Sequence, residues 1–307
     1  MTLQEAKVLA RTLRRQLLLA SVSRVILAAL LMTSFLAALL QSEADAGKDA
    51  LWFATLLTAL TWVTLTMFSV RQIRAANQAS AYISSGRLDL AEEQLRNAVH
   101  LFSLYRSGKL LACHNLAVVV HGRKDYQAAA ELCDCVIHRG GKVTRGAGRL
   151  CRILLADCRL LLGDPAAAFA ALEPLRLSQA NAEDGPVQGE EAASSADREA
   201  ALNLAEQLLL LPVEIRCQVE TGRFAQAVQS LVWKVRLAEL LDSPKAALVH
   251  VLLAEACRRT EKSAEAAFLQ RRAELYCDLA ELETETRAVM DSALKPVNAD
   301  NNTDIAP

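Results

Sequence analysis

The chain has 307 residues, with 34 Lys+Arg against 35 Asp+Glu and a formal net charge of −1. Apolar residues make up 52% and charged residues 22%, and the mean hydropathy is +0.18, on the apolar side for a water-soluble domain. Balanced charge excludes the concentrated basic footprint of a nucleic-acid binder. Scarce Gly (12) and Pro (7) exclude collagen-like, low-complexity and turn-rich all-β classes.

The hydropathy is concentrated in two N-terminal runs. Ser21–Leu40 is apolar except for Arg24 near its start, and Ala50–Val70 contains no charged residue. A helix of about 20 residues covers the roughly 30 Å hydrocarbon core of a bilayer, and neither run keeps the polar face of a soluble core helix. The expected organisation is a basic segment over 1–20 and a two-helix transmembrane hairpin over 21–70, in contact with lipid. Lys7, Arg11, Arg14, Arg15 and Arg24 precede or open the first run, and Arg71 and Arg74 follow the second. The connection Gln41–Asp49 carries Glu43, Asp45 and Asp49 against Lys48. The basic bias predicts an integral membrane protein with both termini cytoplasmic, in the inner membrane if the cell is bacterial. A cleaved signal peptide, with Ala44-Asp45-Ala46 as its site, is the competing reading, but the apolar run exceeds the usual 7–15 residues. Neither run has Asp, Glu, Lys or His at its centre, as an ion path would need.

All eight cysteines follow these runs and sit in apolar helical patterns, which predicts buried thiols acting as small hydrophobes and not a secreted disulfide framework. From about residue 72 to 282 the apolar period is helical. Turn signals recur at Ser85-Gly86-Arg87, Gly122-Arg123-Lys124, Gly163-Asp164-Pro165 and Thr221-Gly222-Arg223, each with helical sequence on both sides.

The first of these units reads Ala79-x2-Tyr82-x3-Gly86-x4-Ala91-x3-Leu95-x2-Ala98, and it resembles the tetratricopeptide repeat (TPR) family. Later units keep Gly122, Ala128, Leu132 and Cys135; Ala156, Gly163, Ala168, Leu172 and Leu175; Gly222, Ala227 and Leu231, with Lys234 at a usually small position; and Ala254, Ala266 and Ala273, with Glu261 at the turn glycine. The alanines at 91, 128, 168, 227 and 266 are spaced 37, 40, 59 and 39 residues apart, longer than the family's repeat of about 34. The resemblance implies an all-α fold in which two transmembrane helices precede a TPR-like α-solenoid of about five antiparallel helix pairs over 71–292. Residues 178–195, rich in Ala, Ser, Gly and acids, read as a flexible insertion and 293–307 as a disordered tail. A long last helix over about Lys262–Ser292 would cap the stack, and Pro212 predicts a kinked or split helix over Ala200–Glu220.

No catalytic motif survives inspection. Gly140-Gly141-Lys142 has Val136 where a phosphate loop needs its first glycine and Val143 where it needs Ser or Thr. That stretch reads instead as a basic loop with Arg139, Lys142, Arg145, Arg149 and Arg152. Cys133-x-Cys135-x2-His138 places its cysteines on different sides of a helix, so they do not share a zinc ion. No cofactor, metal, nucleic acid or small-molecule substrate is expected, and no enzymatic activity. The resemblance implies a protein-binding groove, and the repeat positions place Ile83, Val120, Ile153, Asp157, Leu160, Arg216, Glu220, Glu255, Arg258 and Arg259 along it, with Ile73 and Leu110 beside its first part. The expected function is a membrane-anchored scaffold for protein partners. The alternative is a structural subunit of a membrane complex in which the hairpin is the working part.

Overall fold

The computed structural model describes residues 1–40, 45–140, 145–183 and 202–277. Among them are twelve helices and no strand: α1 (Leu3–Leu40), α2 (Asp45–Ser84), α3 (Leu88–His100), α4 (Arg106–Gly122), α5 (Tyr126–Gly140), α6 (Arg145–Leu161), α7 (Pro165–Glu183), α8 (Leu204–Glu220), α9 (Phe224–Gln229), α10 (Leu231–Ala238), α11 (Ser243–Arg259) and α12 (Ser263–Tyr276). Two long apolar helices lead a series of helix pairs, as the sequence predicts. The chain divides within α6 into two compact units, Met1–Leu154 and Leu155–Pro307.

Five turns share one hydrogen-bond pattern. The N–H groups of Arg87, Asp125, Asp164, Arg223 and Lys262 donate to the carbonyls of Tyr82, Val120, Arg159, Gln218 and Cys257, each five residues earlier, at 2.8–3.2 Å. This is the Schellman closure of a helix, and it requires a left-handed residue just past the helix end. That residue is Gly86 (φ +74°), Lys124 (+65°), Gly163 (+78°), Gly222 (+71°) and Glu261 (+60°). The turns join α2 to α3, α4 to α5, α6 to α7, α8 to α9 and α11 to α12. Gly122, read from sequence as the turn glycine of the second pair, is instead the last residue of α4, and Lys124 takes the left-handed position. Glu261 takes the glycine's place in the fifth.

In the first unit, α1 opens with a capping box. Glu5 N–H donates to Thr2 Oγ1 (3.3 Å), and Thr2 N–H donates to Glu5 Oε2 (3.1 Å). Ala6, Leu9, Leu13, Leu17 and Ala20 recur at helical spacing and are all buried. This stripe seats the first five turns of α1 against α2, α3 and α5. The segment read as a basic leader is therefore also a packed element of the helical body. Arg96 ties the helices together through Glu92 (2.6 Å) and Glu5 (3.1 Å), and Arg123 reaches Glu92 (2.6 Å) and Asp89. On α2, Ala76 and Ala79 are buried, and Ile73 meets Gly108 of α4 so closely that a Cβ there would stand 2.5 Å from Ile73 Cγ1. Only glycine admits that approach.

The other parts of α1 and α2 behave differently. The candidate spans run Leu3–Ala37 and Trp52–Ser84, and in their most apolar windows only 11% and 6% of residues are buried. Val22, Val25, Ile26, Leu30, Met32 and Phe35 of α1 are exposed, as are Phe53, Leu56, Leu60, Val63, Met67 and Phe68 of α2. The hydroxyls of Thr33, Thr58, Thr61 and Thr64 each donate at 2.8 Å to the carbonyl four residues back on their own helix. These four hydroxyls are satisfied within their own helices, without water.

In the second unit, Leu211, Ile215 and Val219 of α8, Val249, Leu252, Leu253 and Ala256 of α11, and Ala266 and Leu269 of α12 form one buried cluster. Asn203 and Glu206 make a capping box at the start of α8 (2.8 and 3.1 Å), and α8 then runs unbroken through Pro212. Of the kink or split expected there, the split is not found. The fourth pair is interrupted elsewhere: at Ser230, between the short α9 and α10. Helix α7 continues to Glu183, into the stretch read as an insertion. The rest of that stretch, the C-terminal part of the predicted cap and the tail lie outside the described residues.

A β-carbon in the left-handed region is strained, and glycine removes the strain at some cost in unfolded-chain entropy. Lys124→Gly and Glu261→Gly are each expected to raise unfolding stability by about 0.5–1 kcal/mol. Gly163→Ala is expected to lower it by a similar amount. Denaturant unfolding followed by circular dichroism measures both.

Candidate protein-binding surface

Nine of the ten predicted groove residues fall into three groups of three, and Ile83 stands apart. Val120, Ile153 and Leu160 are buried, so they offer no surface to a partner. This corrects the sequence mapping. Helix α4 packs against α1, α2, α3 and α5, and Leu110, Leu116, Ala117, Val119 and Val120 are all enclosed. Leu111 and Val118 on the same helix are half-buried. Ile83 is half-buried in the last turn of α2.

Asp157, Arg216 and Glu220 do come together. Arg216 Nε donates to Glu220 Oε1 at 2.7 Å, one helical turn along α8. The Glu220 side chain is 4% exposed. Burial pushes its pKa up, the Arg216 guanidinium pulls it down, and the Asp157 carboxylate adds to the upward push. The net direction is upward. Glu255, Arg258 and Arg259 form a second group on α11. Glu255 accepts from Arg258 Nε (2.9 Å) and Arg259 Nε (2.8 Å), both guanidinium groups remaining exposed. Burial raises the Glu255 pKa, but the two arginines outweigh it and hold the carboxyl below its ordinary range.

A buried polar chain that sequence reasoning missed runs beside α8. Lys234 is 3% exposed, and its Nζ donates to Gln218 Oε1 (3.0 Å) and the Ala227 carbonyl (3.5 Å). Gln218 Nε2 donates to Glu214 Oε1 (2.9 Å), which lies 3.6 Å from Arg176 Nε. Arg223 and Arg176 stand over the Phe169 ring at 3.6 and 5.0 Å. The signal was present in the sequence: Lys234 occupies a position the repeat reserves for a small residue. Its amine is buried in that place because Gln218 and a free helix-end carbonyl accept its protons. Burial lowers its pKa, against the pull of Glu214.

The cysteines form no disulfide among the described residues. Cys151 Sγ lies 3.3 Å from His114 Nδ1, and hydrogen bonding from Cys133 and then from His114 holds its pKa down despite burial. Burial pushes Cys113 up. Cys133 thus faces Cys151, whereas Cys135 Sγ points to the Ala10 carbonyl (3.7 Å). Among the described residues no three His, Cys, Asp or Glu side chains are grouped to hold a metal ion.

No family model matches the chain, and no curated protein matches it. Among solved structures it is similar to the nearly identical TPR-like repeats of a kinesin-light-chain-type protein from Podosopora anserina, with 21% identity and a TM-score of 0.45, over 71% of this chain and 97% of that one.

Removing the Arg216 guanidinium leaves Glu220 buried next to Asp157 with its main partner gone. Arg216→Ala is expected to cost about 1–3 kcal/mol of stability. Adding Glu220→Gln should restore most of that loss, and a double-mutant cycle in urea measures the coupling.

Proposed function

We propose that the protein is a membrane-anchored, TPR-like scaffold that holds protein partners at the cytoplasmic face of a membrane. The observation that carries the reading is the division of α1 and α2: each is buried core at one end and exposed, almost wholly apolar surface over some 18 residues at the other. Water does not tolerate a patch of that size on a monomer. A bilayer does, and the backbonded threonines suit it. The basic residues before the first run and after the second support cytoplasmic termini.

Repeated helix pairs generally serve protein–protein contact through the extended surface that stacking creates, and such scaffolds are typically non-enzymatic. With Val120, Ile153 and Leu160 enclosed, the contact surface reduces to charged and aromatic side chains that remain open. In the second unit these include Arg258 and Arg259 on α11 and Trp233 on α10, with the exposed Val232 beside Trp233. Arginine and tryptophan are the residue types that dominate interface energetics. The competing reading, a subunit whose hairpin packs against other membrane helices, draws on the exposed small residues Ala28 and Ala29 of α1.

Photo-crosslinking in native membranes separates the two. A photoreactive side chain at Arg258 or Trp233 is expected to capture the same protein in the full chain and in a chain whose residues 25–66 are exchanged for an unrelated helical pair in the same phase. Capture that vanishes on exchange would favour the subunit. No protein adduct at either position in either chain would remove the scaffold reading.

A further inference from the structure

The loop between α3 and α4 carries one aliphatic and two aromatic side chains that stay partly open at the surface of the first unit. Leu101 is 56% exposed, Phe102 37% and Tyr105 36%, while Ser103 and Leu104 between them are buried. The loop is nevertheless held firmly. Gln16 Nε2 of α1 donates to the His100 carbonyl. Gln72 Nε2 of α2 donates to the Phe102 carbonyl at 2.7 Å, and Leu104 N–H donates to Ser69 Oγ at 2.9 Å. Lys109 Nζ, buried and pushed down to about 8 by that burial, donates to the Val99 carbonyl at the end of α3 (3.1 Å). These bonds hold the loop at one level of the two long helices, where buried Leu17, Ala20 and Ser69 give way to exposed Val22 and Phe68.

Charge is segregated along the same direction. Residues 6–42, 50–88 and 94–124 contain no Asp or Glu. Arg14 and Arg15 lie within two residues of Gln16, Arg71 and Arg74 lie within two residues of Gln72, and all four are exposed. Arg24, inside the first apolar run, stands 5.6 Å over the Tyr105 ring. Among the described acids of this body, Glu5 lies at the start of α1, Asp89, Glu92 and Glu93 lie in the first half of α3, and Asp125, Glu131 and Asp134 lie in the turn before α5 and its first nine residues. The loop end of the first unit is thus rich in arginine and partly greasy, continuous with the apolar helices, and the loop and the stretches of α1 and α2 beside it carry no carboxylate.

We propose that Leu101–Tyr105 is a third membrane-contacting element: its apolar side chains enter the interfacial layer of the bilayer, and the surrounding arginines hold anionic phospholipid headgroups. The proposal rests on the reading of α1 and α2 as spans. Interfacial aromatics and basic residues at the edge of the hydrocarbon are the groups a charged membrane surface selects. The loop then fixes how deep the hairpin sits and seats the first helical unit on the membrane instead of letting it stand off on a tether.

Depth-resolved fluorescence quenching tests it on the full chain. Trp52, Trp62 and Trp233 are replaced by Phe, Phe102→Trp is added, and the protein is reconstituted in phosphatidylcholine–phosphatidylglycerol vesicles with bromine placed near the headgroup or near the chain end. A parallel chain keeps Trp62 alone, and Leu101→Trp serves as a second loop probe. The loop probe is expected to lose emission to the shallow bromines and Trp62 to the deep ones. Loop quenching should weaken when phosphatidylglycerol is omitted or when Arg71 and Arg74 are changed to Gln. Quenching of Trp62 with both loop probes unquenched would overturn the loop proposal and leave the spans standing. Loss of quenching at Trp62 as well would overturn both.

Discussion

Each of the first two helices is asked to satisfy two solvents. Over Leu3–Ala20, α1 has a narrow buried stripe and a basic outer face, as a helix packed on a water-soluble body should. A few residues later it is apolar on all sides and exposed. Helix α2 makes the same change in reverse, from open apolar surface to the buried Ser69, Ala76 and Ala79. Because neither helix breaks at the change, the position of the body relative to the apolar rods is set by continuous backbone hydrogen bonding and not by a flexible joint. A helix has no soft dihedral left to absorb a tilt once its ladder is formed. The N-terminal seat of α1 on α2, α3 and α5 fixes it further.

The helix pairs that follow rest on a repeated backbone event. Five times the chain ends a helix with the same pair of turn bonds and the same left-handed residue, then reverses. Three of those positions are glycine and two are not. Glu261 and Lys124 tolerate the geometry because the closing bonds, including Lys262 N–H to the Cys257 carbonyl at 2.9 Å, over-determine it. The five turns therefore share their hydrogen bonds where they differ in the residue at the left-handed position.

Much of this was legible in the residues. Apolar run length located the long helices, and small residues at repeat spacing located the pairs. Some of what was missed had a signal that was read too coarsely. The stripe Ala6, Leu9, Leu13, Leu17, Ala20 is a helical period inside a segment whose arginines drew attention first. Asn203 and Glu206 spell a capping box, and Lys234 announces a buried acceptor for its amine. Other features were not readable. Whether Val120 lines a groove or a core depends on how many helices surround α4, a property of the assembled packing. The pinning of the α3–α4 loop joins Gln16 and Gln72 to carbonyls many residues away, and main-chain acceptors leave no trace in side-chain patterns. The interruption at Ser230 likewise follows from local backbone geometry that no breaker residue marks.

The account stands or falls on the environment of the exposed rods. Alkaline carbonate extraction of membranes from cells expressing the full, untagged chain addresses it directly, since high pH strips peripheral proteins and leaves bilayer-spanning helices in the pellet. The protein is predicted to remain in the pellet and to be released only by detergent. Quantitative recovery in the carbonate supernatant would contradict the account.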